Sequence, residues 1–304
     1  MRVKQALAKV PGALVLGRIG RNLVEGARQR LGIGAYTADG TTHHGRPVAH
    51  SVRYLREVLA DYLEFGRLHV GALEGLDVVE IGPGDSLGAA LLLVGAGARS
   101  VTCVDRFPVF RADHHERAIL AELIAGADTA AQARMRACLG PDGLVSEGAI
   151  RYRPGLPIED AATGLGRGVC DLIVSRAVLQ AVASIDQAYA ACRALLRPGG
   201  RMLHKVDLGN LSPIEPHPLQ FLSHGPRVWQ LMSSNLSRVN RQRWPHHRDA
   251  LLRHGFTIDG FRATRLLPLP TVQEYRHKLA APFRALSDAD LMVYGFFVDC
   301  RRGD

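Results

Sequence analysis

The stretch "VVEIGPGDSLG" runs from Val78 to Gly88. A β-prone apolar run carries Glu80 and ends at Ile81, a loop with Gly82, Pro83, Gly84 and Asp85 follows, and an apolar segment resumes beyond Gly88. The physical content is a strand that stops, glycines that let the backbone approach something closely, and a helix N-terminus just behind them. A lone G-x-G also fits a plain tight turn, so the surrounding sequence has to decide.

Working outward, the chain alternates. Strands are expected at Leu76–Ile81, Val101–Val104, Ile150–Tyr152, Cys170–Ser175 and Arg201–Val206, with helical patterns at Ser86–Val94, Arg117–Ala125 and Ile185–Leu196. The "RPGG" at Arg197–Gly200 is a helix stop signal. Two further extended segments, Thr257–Thr264 and Leu291–Cys300, close the chain. Strands alternating with helices predict an α/β fold: a mainly parallel, seven-stranded sheet with helices on both faces. Another helical pattern runs from His50 to Leu63. The expected organisation is an N-terminal helical extension and connector over 1–69, then one domain over 70–304. A proline-rich cap at 208–245 is inserted after the fifth strand.

Asp105 ends the second strand, 25 residues after Glu80. A carboxylate there can accept both hydrogen bonds of a ribose diol, so loop and acid together point to an adenosine cofactor. A dinucleotide would place a diphosphate at the loop, where carboxylates are unhelpful. Glu80 and Asp85 instead suit an amino group and a positive sulfur, which favours S-adenosylmethionine.

These residues resemble the class I, Rossmann-like S-adenosylmethionine-dependent methyltransferases. "VVEIGPGDSLG" is similar to their first motif and "VTCVD" to the strand ending in the ribose-binding acid. "CDLIVSRAVLQAV" resembles the fourth-strand motif and "LLRPGGRMLHKVDL" the turn and fifth strand. The likeness covers about residues 70–210 well and 245–300 loosely. It narrows to a bacterial subgroup acting on small molecules or glycans. Two departures stand out: Gln180-Ala181 replaces the usual Glu-His, and the third strand lacks the usual adenine-binding Asp, leaving Glu159, Asp160 or backbone for that task.

The resemblance implies methyl transfer by in-line displacement to an acceptor oxygen, with a base taking the acceptor's proton. Ligands of open parallel sheets sit beyond the carboxyl ends of the strands. The expected cofactor residues are therefore Glu80, Gly82, Pro83, Gly84, Asp85, Ser86, Asp105, Arg106, Ser175 and Arg176. Gly88 is expected to let its helix pack on the sheet. His204 is the expected base, with Asp207 orienting it or acting itself. Trp229, Asn240 and Arg241 of the cap are candidates for acceptor binding, alongside Phe221 and Met232. Each has a plainer reading as core or loop anchor.

Composition bounds the rest. The net charge is +9, yet residues 1–34 hold seven Lys or Arg against one Glu. The other 270 residues are nearly balanced, so a nucleic-acid stripe across the folded body is not expected. Leu16, Ile19, Leu23 and Ala27 recur at helical spacing among Arg18, Arg21 and Arg28. Two readings stand: a surface helix docked on its own core, or contact with an anionic membrane surface. Five scattered cysteines without C-x-x-C argue against disulfides or zinc and for a reducing, cytoplasmic compartment. The adjacent histidine pairs 43/44, 114/115 and 246/247 point in different directions on any regular element, so no metal is expected. His43 or His44 could close over the cofactor, because the connector precedes the first strand. A nicotinamide-dependent oxidoreductase and a non-catalytic methyltransferase-like scaffold are the competing readings.

Overall fold

A computed structural model describes residues 12–31, 43–69, 71–110, 112–210, 217–233 and 239–303. The basic residues before position 12, most of the connector at 34–47, and parts of the 208–245 segment lie outside the described residues.

The chain builds seven strands: β1 (Asp77–Ile81), β2 (Ser100–Asp105), β3 (Ile150–Pro154), β4 (Cys170–Arg176), β5 (Leu196–Asp207), β6 (Phe256–Leu266) and β7 (Val293–Arg302). They form one sheet in the order β3-β2-β1-β4-β5-β7-β6. The first five are parallel, β7 runs antiparallel to β5, and β6 runs antiparallel to β7. The strand order reverses between β1 and β4, which is the switch point where such sheets open a crevice.

The helices are α1 (Ala13–Arg30), α2 (Val48–Phe65), α3 (Gly88–Gly95), α4 (His114–Ala125), α5 (Thr129–Arg136), α6 (Ile158–Leu165), α7 (Ile185–Leu195), α8 (Pro226–Ser233), α9 (Trp244–Arg253), α10 (Leu269–Arg276), α11 (Ala281–Arg284) and α12 (Asp288–Met292). Side-chain alternation along the strands sorts the core into two layers. Val78, Leu172, Val174, Leu203 and Phe297 face α2, α3 and α4. Val79, Ile173, Met202, Val206 and Phe296 face α6, α7 and α9. Residues 48–65, placed by sequence in the N-terminal extension, thus cover one face of the sheet through Val52, Leu55, Val58 and Tyr62. The helix α3 is apolar all round and buried at all eight positions, as a helix enclosed on every side must be.

The starts of three helices follow from sequence. Asp113 accepts from the N–H groups of His115 and Glu116, Asp128 from that of Ala131, and Ser184 from that of Gln187. "DHH" at 113–115 is therefore a helix cap and first turn rather than a ligand set.

A third apolar cluster lies beyond one end of the sheet and reaches it through Tyr294 of β7. Phe221, Trp229 and Met232 of the 208–245 segment join Val272, Phe283 and Leu291, with Val15 and Ile19 of α1 against them. The N-terminal helix and the post-β5 segment thus share one small core.

Candidate active site

Register aligns the strand ends. Ile81 lies beside Val104 on one side and Ser175 on the other, and Ser175 lies beside His204. The residues just past these positions crowd one edge of the sheet. There a cleft of about 150 Å³ opens, walled by Gly82 and Gly84 after β1, Asp105 to Phe107 after β2, Pro157 to Glu159 at α6, and Ala177, Val178, Ala181 and Val182 after β4.

The loop geometry explains its glycines. Gly82 adopts φ +68° while its N–H donates to Val104 O at 2.8 Å, and a Cβ there would lie 2.5 Å from Val178 Cγ2. Gly84 adopts φ +74° and borders open space, with nothing within 4 Å of a would-be Cβ. At Gly88 a Cβ would meet Leu55 of α2 and Leu123 of α4 at 2.5 and 2.9 Å. Gly88 therefore serves helix-to-helix packing, where packing on the sheet was expected.

Asp105 points its carboxylate into the cleft. Burial raises its pKa, opposed by backbone hydrogen bonds from Phe107, Gly84 and Arg106, the first at 3.0 Å. Among the described residues no side-chain cation pairs with it. Arg106 lines the same wall, with its guanidinium against the Phe107 ring. Glu159 enters on the α6 side, one oxygen taken by the N–H groups of Ala183 and Ser184.

Several expected contacts fall elsewhere. Glu80 alternates to the α2 face of the sheet and is buried behind the loop, 3.5 Å from Cys103 Sγ. Burial, with Asp105 nearby, raises its pKa to about 7. Asp85 accepts the N–H groups of His43 and His44, at 3.2 and 2.8 Å to Oδ2, and so pins the end of the connector to the glycine loop. Neither carboxylate walls the cleft, which corrects the electrostatic argument that both face the ligand. Ser86 is also buried, its hydroxyl accepting the Gly88 N–H at 3.1 Å. Pro83 is half-buried in the loop, outside the cleft walls. Sequence reading missed Glu116, whose Oε1 accepts the Leu87 N–H at 2.9 Å and holds the turn from behind.

His204 and Ser175 point to the α7 face, away from the cleft edge. His204 is fully buried, sharing a 2.8 Å hydrogen bond with the Ser175 hydroxyl and lying near Tyr189. Burial lowers its pKa to about 3, so it is a neutral core imidazole. The expectation of a histidine base is thereby corrected, as is that of a Ser175 cofactor contact. The cause is β alternation: adjacent Lys205 and Asp207 take the other face.

A second pocket of about 300 Å³ adjoins the first through Ala177. It is lined by Tyr54 of α2, Arg176, Lys205, Asp207, and Thr264 and Arg265 of β6. Asp61 of α2 pairs with both Arg176 and Lys205, the latter at 2.5 Å. Burial pushes the Asp61 pKa up, but the hydrogen bonds from Lys205 and Arg176 more than offset it and leave it lowered. The Arg176 guanidinium lies over Tyr54, 5.1 Å from the ring centroid. Asp207 Oδ1 accepts from Gly209 N–H and from Arg265, at 2.8 and 2.7 Å. Tyr54 and Asp61 escaped sequence reading. Their spacing of seven on one amphipathic helix, two turns apart on one face, was the available signal.

The cap candidates are anchors. Asn240 Nδ2 donates to Leu179 O and its N–H to Gln180 O, at 2.7 and 2.6 Å. Arg241 donates to Phe221 O and His224 O and stacks on Trp229, with burial lowering its pKa to about 10. The Trp229 indole N–H is taken by Val239 O. Their expected acceptor role is corrected to tethering the described part of the 208–245 segment beside the β4 end. Arg243, two residues on and fully buried, stitches the same segment to Leu208 O and Val293 O. Gln180, standing where an acidic residue was expected, donates to Ala177 O. His43 packs edge-on to Tyr54 beside Asp85. Among the described residues, no cluster of three His, Cys, Asp or Glu could hold a metal, and the five cysteines are buried and unpaired.

No protein-family model matches this chain, and no curated protein does. Among solved structures it is similar to an S-adenosylmethionine-dependent methyltransferase from Mesorhizobium loti. That likeness has 18% identity and a TM-score of 0.44, over 86% of this chain and 100% of the other. It is also similar to a geranyl diphosphate C-methyltransferase from Streptomyces coelicolor A3(2), at 14% identity and a TM-score of 0.46, over 88% of each chain. At such scores the likeness extends to neither site nor substrate.

Proposed function

We propose that this chain is an S-adenosylmethionine-dependent methyltransferase acting on an oxygen of a small-molecule or glycan acceptor. The observation that carries the reading is the cleft at the switch point of the sheet. Asp105, a carboxylate with no side-chain cation partner among the described residues, lines it across from a left-handed backbone that favours glycine at Gly82 and Gly84. That arrangement fits an adenosine group. The Asp105 oxygens suit a ribose diol, the apolar wall of Val109, Ile158 and Val182 suits a flat base, and Gly84 leaves room for close approach. Among the described residues the cleft wall holds two carboxylates, Asp105 and Glu159, and one cation, Arg106, a balance that disfavours a diphosphate there. When bound, the cofactor supplies an electrophilic methyl group.

The chain's own residues then divide the work. The adjoining pocket holds the acceptor, with Arg176, Lys205 and Arg265 lending it a cationic wall. Asp207 is the carboxylate of that pocket placed to take the acceptor's proton, and Arg265 orients it. Most of the rate gain comes from holding two reactants in line, which a rigid sheet edge is suited to do. A domain over 70–304, completed by α2 through its sheet-covering face and Tyr54 and with 208–245 as its cap, carries this chemistry in the cytoplasm.

Calorimetry tests the cofactor: S-adenosylmethionine or S-adenosylhomocysteine binds, and NADH does not. Binding of NADH alone would turn the reading to an oxidoreductase. A screen of hydroxylated small molecules and glycans with labelled cofactor then tests the acceptor. Labelling confined to nitrogen, carbon or protein acceptors would refute the oxygen assignment.

A further inference from the structure

Helix α1 has a wider apolar face than its neighbour covers. At about 100° per residue, Val15, Ile19, Asn22 and Gly26 fall on one stripe. That stripe packs on α8, with Asn22 Nδ2 donating to Leu231 O at 2.9 Å. Next to it lies a second apolar stripe of about 100° that no described residue covers. Leu16, Leu23, Val24 and Leu31 are exposed by 71, 60, 59 and 70%. Arg21 and Arg28, both exposed, run along its far edge. So much exposed leucine in one place is unusual for a surface that meets only water.

We propose that this stripe of α1 lies on an anionic lipid bilayer, the leucines in the acyl boundary and Arg21 and Arg28 among the headgroups. Charge selects the occupant. Residues 1–34 carry seven Lys or Arg and one Glu, which an anionic surface attracts. A second copy of the chain would bring the same positive excess against itself. The stripe is convex and straight, suited to a planar interface, and arginine stems reach from an apolar boundary to headgroups. The described helices include none long and apolar enough to cross a membrane, so the contact is peripheral. Because α1 rests on the cap core and the cap is tied to the end of β4, docking would hold the cleft close to the lipid surface.

Sedimentation with vesicles tests this on the full chain. The wild type is expected to pellet with phosphatidylcholine vesicles containing phosphatidylserine and to stay in solution with phosphatidylcholine alone. Neutralising Arg21 and Arg28 (Arg21→Gln with Arg28→Gln) should weaken binding about thirtyfold, from about fivefold per charge. Leu16→Ser with Leu23→Ser should abolish it, while Leu252→Ser, exposed on a different helix, should change nothing. All are solvent-facing substitutions, and an unchanged thermal melt verifies folding. Should the double leucine variant not fold, the arginine pair alone decides. Absence of pelleting by the wild type overturns the proposal, as does equal pelleting by wild type and the arginine variant. So does light scattering that shows a dimer lost in Leu16→Ser/Leu23→Ser without any vesicle binding, which would assign the stripe to a second copy.

Discussion

Replacing each glycine of the 78–88 stretch by alanine separates three roles that look alike in the sequence. At Gly84 the only structural cost is the left-handed backbone at φ +74°, about 1–2 kcal/mol. That lowers Tm by about 2–8 °C. The new methyl stands beside the cleft, and if a ligand backbone or sugar approaches there, crowding of about 1–3 kcal/mol weakens it. The expected loss of S-adenosylhomocysteine affinity is about five- to a hundredfold. At Gly82 the same backbone cost is joined by the 2.5 Å clash with Val178 Cγ2, so stability falls by about 2–5 kcal/mol and affinity falls with it. At Gly88 the methyl meets Leu55 and Leu123, and about 1–3 kcal/mol of stability is lost, with affinity unchanged once the protein is folded. Thermal melts and calorimetry on the three variants read the two quantities separately. If Gly84→Ala bound like the wild type while Gly88→Ala bound poorly, the placement of the cofactor at this loop would be wrong.

Three further outcomes are expected. Asp105→Asn should lower S-adenosylhomocysteine affinity about ten- to a hundredfold, the worth of a charged hydrogen bond. It should leave Tm unchanged or raised, because burial already disfavours that charge; equal affinity by calorimetry would remove Asp105 from the site. Asp61→Asn leaves Arg176 and Lys205 facing each other without their shared anion, so a loss of about 1–3 kcal/mol should appear in denaturant melts, and a stability equal to wild type would contradict the pairing. His204 and His247 are buried with pKa values lowered to about 3, so between that and 6.5 the unfolded chain binds more protons. Their contribution is full above pH about 6.5 and is lost as pH falls, by up to about 1.4 kcal/mol per unit for each histidine. His204→Gln should therefore reduce the loss of stability between pH 7 and 5, and an identical pH profile would show that His204 titrates normally.

The alternating pattern was legible because period is a local property. Each strand from Leu76 to Val206 lies within a residue or two of its expected place except β5, which starts at Leu196 and so takes in the whole "RPGG" stretch. The edge on which ligands bind follows from parallel strands alone. What local pattern conveys poorly is the face a side chain takes. His204 and Lys205 are neighbours in sequence, yet one is sealed beside Tyr189 and the other lines a pocket with Asp207. The choice between them depends on which helix covers which face. Asp85 looked like a ligand carboxylate until the backbone of His43 and His44, some forty residues earlier, arrived to use it.

The sequence by itself determined the class of fold, the glycine loop and the acid after the second strand. These depend on period, on backbone freedom and on spacing within one β-α-β unit. Only the tertiary structure decided which polar groups are left for a ligand, because a buried donor or acceptor is claimed by whatever long-range partner reaches it first. On those grounds Asp105 and Asp207 line pockets, whereas Glu80, Asp85, Ser175, His204, Asn240 and Arg241 belong to the framework. The same held for α1. The sequence showed a basic amphipathic helix. Packing then showed that the helix docks on one apolar stripe and that no described residue covers the other.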